Sequence, residues 1–285
     1  MKKGRLKGSG KKQLKSFHNY IIDFHSHFYK IEKAEEKLIE IIKKMNYVKI
    51  IISGIEGTYL EYIYGNNEVL ELSKKYPEII IPFAHFRLGI DKINKIEEFL
   101  RMGFKGLKFI FPLKNYDDEE YFPVYEKMEK ENLIGIFHTG IVSRKGAENK
   151  KENISSGRMR PVFLDTIARN FPELSIIGAH LGYPWYEEAV EVARVNPNVY
   201  FDISGPCIYS RSQLYFKEIF WHKNKFLKRS IIDKLIFGSD IYYQNIPNFV
   251  KDLKNFFRKI DAEENIEDFF YNTGKKILER GGLWK

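Results

Sequence analysis

From about residue 20 to its end, the chain alternates short apolar runs with longer amphipathic stretches. Eight of the runs read as strands: Tyr20–Phe28, Val48–Gly54, Ile79–Phe86, Gly106–Ile110, Leu133–Gly140, Leu174–Gly182, Asn198–Gly205 and Lys234–Asp240. Most are continuously apolar, Ile50-Ile51-Ile52 and Ile79-Ile80-Ile81 above all, as parallel strands covered on both faces are. Helical periodicity lies between them. Asp91 is placed as an N-cap, Ile93, Ile96 and Leu100 follow on one face, and Gly103 ends that helix. Pro161–Asn170 and Tyr186–Val195 read the same way, and Ile266–Leu278 reads as a closing helix. Eight such β/α units, spaced by roughly 30 residues, predict an α/β fold, the TIM (β/α)8 barrel. An open doubly wound sheet is the alternative, because periodicity does not prove closure.

Composition narrows the class. The chain has 285 residues, 44% hydrophobic, with 23 Phe and 18 Tyr, enough for a substantial core and incompatible with a wholly disordered chain. No run approaches the roughly 18 apolar residues of a membrane-spanning helix, so no membrane partner is expected. The net charge of +9 suggests nucleic acid until its location is considered. Residues 1–15 carry seven positive side chains (Lys2, Lys3, Arg5, Lys7, Lys11, Lys12, Lys15), and the remainder balances 40 basic against 38 acidic residues. A basic tail over residues 1–17 and one barrel domain over residues 18–285 is the expected organisation. A nucleic-acid-binding or nuclease-like role for the tail ranks low, since a basic footprint should persist in the folded body. The GSGKK segment lacks the spacing of a phosphate loop. The single cysteine, Cys207, fits a reducing compartment, and no apolar segment follows the basic N-terminus, so a cytoplasmic location is expected. The longest polar connection, Ile141–Arg160, has the character of a lid over a site.

Five of the seven histidines, His25, His27, His85, His138 and His180, fall at the ends of predicted strands, and Asp240 ends the eighth. In a barrel those ends form one rim, where catalytic groups gather. In IIDFHSHF, simple alternation puts Asp23, His25 and His27 on one face. Closure sets Asp240 beside the first strand. Three imidazoles and a carboxylate suit a borderline divalent ion, Zn²⁺ first, with room for a water. His180 then has the chemistry of a general base or acid. Asp23 reads either as an orienting group for a ligand or as a buried acid. Arg87, Arg158 and Arg160 lie where rim arginines grip carboxylates, although solvated surface arginine is the commoner outcome. Tyr183 and Trp185 are candidates for a wall beside the substrate. No role is assigned to His18 or His222, and Cys207 has no histidine or CxxC neighbour that would activate a thiol.

Taken in order, Asp23-x-His25-x-His27, Gly106-x-Lys108, His138-Thr139-Gly140, Ala179-His180-Leu181-Gly182 and Phe237-Gly238-Ser239-Asp240 resemble the amidohydrolase superfamily. More narrowly they resemble its amidohydrolase 2 branch, which includes decarboxylases of the aminocarboxymuconate-semialdehyde type. The resemblance implies a barrel holding one metal through His25, His27, His138 and Asp240, with His180 and Asp240 acting on the reacting groups. Lys108 implies a substrate anchor or, if carboxylated, a bridge between two metals that moves His138 and His180 to the second ion; a paired core lysine is the third reading. The expected function is metal-dependent hydrolysis of a small substrate, with a carboxylate suggested by Lys108, Arg87 and Arg160. Non-oxidative decarboxylation of an unsaturated or aromatic acid is the runner-up on the same residues. Relatives of this branch are commonly dimers, so a homodimer is allowed.

Overall fold

The computed structural model describes residues 19–57, 60–142, 154–221 and 230–284. The tail, His18, His222 and the middle of the Ile141–Arg160 connection lie outside the described residues. All eight expected strands form: β1 (Ile21–Ser26), β2 (Tyr47–Ser53), β3 (Ile80–His85), β4 (Gly106–Phe109), β5 (Ile134–Phe137), β6 (Ile176–Gly178), β7 (Val199–Asp202) and β8 (Leu235–Ile236). They pair in parallel in sequence order. Helices α1 (Ala34–Lys44), α2 (Asn66–Lys75), α3 (Asn94–Met102), α4 (Phe122–Lys130), α5 (Phe163–Asn170), α6 (Tyr186–Val195), α7 (Gln213–Phe220) and α8 (Ile246–Lys259) follow the strands in turn. A turn of π-helix, Asp268–Asn272, leads into α9 (Thr273–Arg280).

The eighth strand is shorter than its apolar run implied, but the chain beyond it closes the barrel. Phe24 N donates to Phe237 O at 2.9 Å and Asp240 N donates to His25 O at 2.8 Å. The fold is therefore a (β/α)8 barrel rather than an open sheet. Ile51, Ile81, Phe83, Ile134, Ile136, Ile177 and Ile236 fill the lumen, with Ile277 and Leu278 of α9 packed against them. The larger second cluster fills the layer between strands and helices, for instance Leu38 and Ile41 of α1 against Ile50 and Ile52 of β2. Continuous isoleucine runs serve both layers at once, which is why the strands show no polar alternation.

Two local expectations need correction. Asp91 does not cap α3, which starts three residues later. Its carboxylate instead accepts from Arg87 N at 2.8 Å and pairs with Arg87 and Lys95 at 3.1 and 3.0 Å. Gly103 does end α3, at φ 112°, a conformation glycine adopts without strain. The second correction concerns β1. Ile22 and Phe24 both join the lumen cluster, and the β1–β2 register shifts between Asp23 and Ser26. This irregularity breaks the alternation. Asp23 consequently turns away from the histidines, and its carboxylate accepts from Tyr47 Oη at 3.2 Å, Ser239 N at 3.0 Å and His25 N at 3.0 Å.

Candidate active site

The strand ends converge as the barrel geometry requires. His25 leaves β1 into the lumen, where its Nδ1 lies 2.9 Å from Asp202 Oδ2 at the end of β7. His27 lies two residues further on, with Nδ1 2.8 Å from Ser53 O at the end of β2. His180 sits in the tight turn Ala179–Gly182 after β6, its Nδ1 2.8 Å from Ser204 Oγ. That hydroxyl in turn donates to Asp202 Oδ1 at 2.5 Å, and His180 N donates to the same oxygen at 2.9 Å. With each Nδ1 engaged by an acceptor, these partners assign the proton to Nδ1 and make each Nε2 the acceptor atom of its ring.

The three Nε2 atoms face one carboxylate. His25 and His27 approach Asp240 Oδ1 at 3.9 and 3.4 Å, and His180 approaches Oδ2 at 3.6 Å. His25, His180 and Asp240 offer donor atoms that all lie within 4.8 Å of one another. His138, directly after β5, meets the His180 ring edge-on, with centroids 4.8 Å apart, and its Nε2 is buried without a hydrogen-bond partner. Its backbone is fixed from two sides: His138 N donates to Phe109 O at 2.8 Å, and His138 O accepts from Tyr116 Oη at 3.0 Å. Lys108, on β4, is fully enclosed, with Nζ 2.8 Å from His25 Nε2.

Burial governs the protonation states. It lowers the imidazole pKa of His27 to about 3 and that of His180 to about 4, while that of His138 falls well below the ordinary value. Burial also lowers the Lys108 ammonium to about 8, against the pull of Asp240 and Asp202. Burial opposes the charge of the two carboxylates as well, yet His25 and His180, with Ser204 for Asp202 and with His27 and Lys108 for Asp240, hold both below the ordinary range. The imidazoles of His27, His138 and His180, which burial keeps neutral, together with His25 and the ionised Asp240 carboxylate form the donor set of a borderline divalent metal. The unpartnered Nε2 of His138 fits such a ligand, because a buried ring nitrogen without a partner is otherwise costly.

Backbone geometry is unusual at two of these residues. His180 and Asp240 have φ of 60° and 43°, a region that side-chain-bearing residues rarely occupy and that clusters at functional sites. Gly238 lets the eighth strand's end pass the centre, since a Cβ there would lie 2.7 Å from His25 Cβ and 3.0 Å from Asp202 Cβ.

The other groups singled out in the sequence have surroundings of their own. Arg87 pairs with Asp91, whereas Arg160 pairs with Glu188 and lies over the Trp185 ring at 5.4 Å. His85 is clamped: its Nδ1 accepts from Glu56 N at 2.8 Å, and Asn66 brackets its backbone through Asn66 Oδ1 and Nδ2. Its Nε2 is buried without a partner. Cys207 is buried, and burial pushes its thiol well up, away from nucleophilic use. Sequence reasoning missed Asp202 and Ser204. The signal was present in NVYFDISG, where Asp202 ends a strand just as the histidines do.

A TIM barrel with imidazoles and carboxylates clustered at the C-terminal ends of its strands is thus in place. The chain belongs to the amidohydrolase family (Amidohydro_2), whose model matches residues 51–280. His25 and His27 precede the matched stretch. No protein of curated function matches. Among solved structures, an uncharacterised TIM-barrel protein from Bordetella bronchiseptica superposes with a TM-score of 0.67 at 18% identity, covering 92% of this chain and 99% of that one. A 2,6-dihydroxybenzoate decarboxylase, in complex with 2,6-dihydroxybenzoate, gives 0.61 at 13% identity, over 91% and 98%. Dihydroorotase from Saccharomyces cerevisiae, in complex with 5-fluoroorotic acid, gives 0.57 at 16%, over 91% and 84%. At these identities the likeness is one of fold.

Proposed function

We propose that the chain is a metal-dependent hydrolase acting on a small organic substrate. The observation that carries this reading is the convergence of the His25, His27 and His180 Nε2 atoms on Asp240, each ring backed at Nδ1 by its own acceptor. His25, His27, His138 and Asp240 would hold one divalent ion, Zn²⁺ by donor type. Bound there, the ion would supply a Lewis acid and a water acidic enough to attack near neutral pH.

The remaining steps belong to side chains. Asp240, ionised, accepts a hydrogen bond from the attacking water and orients it. His180, neutral through burial, takes a proton at Nε2 while Ser204 and Asp202 stabilise the resulting cation from behind. Lys108 offers an ammonium to a substrate carboxylate. Its contact with His25 Nε2 must open when that atom takes up metal.

Decarboxylation of an unsaturated acid uses the same groups, and the resemblance in fold to 2,6-dihydroxybenzoate decarboxylase favours keeping it as the second reading. Carbon dioxide release without net addition of water separates it from hydrolysis.

Metal content per chain, measured with the intact mass of the reconstituted protein, tests the proposal. One equivalent on an unmodified chain is expected. Two equivalents with a carboxyl group on Lys108 would replace the single site by a binuclear one, with His138 and His180 on the second ion. No uptake after reconstitution would overturn both enzymatic readings.

A further inference from the structure

Two of the residues assigned to the metal stand where a strand has just ended, and there the sheet no longer holds the backbone that carries them. His138 shows how the chain makes good the loss. In a parallel ladder a residue donates to the neighbouring strand and then accepts from the residue two positions further along it. His138 N donates to Phe109 O at 2.8 Å, so the next bond would run from Phe111 N to His138 O. That bond does not form. Phe111 takes φ of 57° and turns its N–H to the Met159 sulfur at 3.4 Å. The chain thereby leaves the sheet at the rim, and the His138 carbonyl loses its ladder donor.

Tyr116, five residues further on, supplies another. Its hydroxyl lies 3.0 Å from His138 O and 3.1 Å from Phe109 O, so a single proton bridges the ends of β4 and β5. The ring is wholly buried and meets the Phe137 ring edge-on, with centroids 5.2 Å apart. Its own backbone is held on both sides: Tyr116 N donates to Arg158 O at 3.3 Å, and Tyr116 O accepts from Tyr125 Oη at 2.7 Å. Burial drives the phenol pKa well above its ordinary value, so the group stays a donor.

The same arrangement recurs across the centre. His27 comes directly after the last residue of β1, and its carbonyl accepts from the Tyr243 hydroxyl at 2.9 Å. Tyr243 is 2% exposed, opens the turn Tyr243–Asn245 after Asp240, and accepts from Tyr29 N at 3.3 Å. Burial raises this phenol too. A lost ladder bond matters most at such residues, because a ligand atom must be held within about 0.5 Å of its working position.

We propose that Tyr116 and Tyr243 are positioning residues for the metal. Their hydroxyls replace missing sheet donors at His138 and His27 and so fix the angle at which those rings meet the ion. This deepens the hydrolase reading and rests on its assignment of His27 and His138 as ligands.

Tyr116→Phe and Tyr243→Phe keep each ring and remove only the hydroxyl. Tyr186→Phe is the control, since that buried phenol also donates to a main-chain carbonyl, Cys207 O at 3.4 Å, on a residue that holds no metal. Zinc affinity is read by chelator competition, metal-free stability by urea unfolding, and the ligand shell by the visible spectrum of the cobalt(II) form. Each of the first two variants should bind zinc about tenfold more weakly and alter the cobalt bands. The double variant should lose about a hundredfold, because the two hydroxyls share no partner. Tyr186→Phe should lose stability and keep its affinity and spectrum. Wild-type affinity in either test variant, an equal loss in the control, or failure of both test variants to fold overturns the proposal and leaves the hydrolase reading intact. An unsubstituted protein that binds neither zinc nor cobalt overturns both.

Discussion

Asp202 shows how much of this site depends on a residue that need never touch substrate. One oxygen receives the His25 ring, the other receives His180 N, Ser204 N and the Ser204 hydroxyl, so a single carboxylate orients two imidazoles. Replacing it by asparagine preserves volume and removes the charge. Asp202→Asn should lower metal affinity by about 10- to 100-fold, the usual cost of losing a partner behind a ligand, as read by chelator competition. Gly238 is the second single-residue test. A methyl group there meets the backbone-fixed Cβ atoms of His25 and Asp202, neither of which is the end of a flexible chain. Gly238→Ala should destabilise the fold by about 1–3 kcal/mol in urea unfolding and reduce metal uptake with it. The histidines and Asp240 were legible in the sequence because each is a polar residue at the end of an apolar run. The ring orientations were not, since they depend on Ser53 O, Ser204 and Asp202, which lie far away along the chain.

At the scale of elements, the eight strands and the four helices given ranges, α3, α5, α6 and α9, followed from hydrophobic period, α6 to the residue. The failures have definite causes. Asp91 has the chemistry of a cap, but the neighbouring Arg87 and Lys95 outcompete the helix end for its carboxylate. The period-two reading of IIDFHSHF assumed an unbroken strand, and the register shift in β1 frees Asp23 from the centre and encloses it beside Tyr47. Burial there raises its pKa from 3.8 to about 7, and the hydrogen bonds from Ser239 and His25 only partly oppose this. The folded protein then binds this proton more tightly than the unfolded chain does, so the contribution of Asp23 to stability is greatest in acid. It declines as pH rises from about 4 through about 7, by a few kcal/mol in total. Asp23→Asn should remove that slope. Urea midpoints across the window, compared between the two proteins, check it; parallel slopes would place the ionised carboxylate comfortably in the fold.

For the molecule as a whole, closure is what makes a centre out of scattered positions. The barrel was inferred from eight repeated units, and the backbone bonds from Phe24 to Phe237 and from Asp240 to His25 supply the seam that periodicity leaves open. The proposed ligands come from β1, β5 and the end of β8, so an ion held by them binds the folded state and not the unfolded one. Metal at a thousand times its dissociation constant should add about 4 kcal/mol to stability, and stripping it with a chelator should lower the melting temperature accordingly. Equal melting temperatures with and without metal would contradict a site that spans the seam.

The same seam imposes an order on the chain's birth. His25 leaves the ribosome more than two hundred residues before Asp240 does. Domains assemble from the N-terminus during synthesis, and a contact of such sequence separation is closed late. Until β8 arrives, the first strand exposes an unpaired edge and its two imidazoles lack their carboxylate. Competence for catalysis is thus withheld from every nascent fragment and granted only when the eighth strand is laid down.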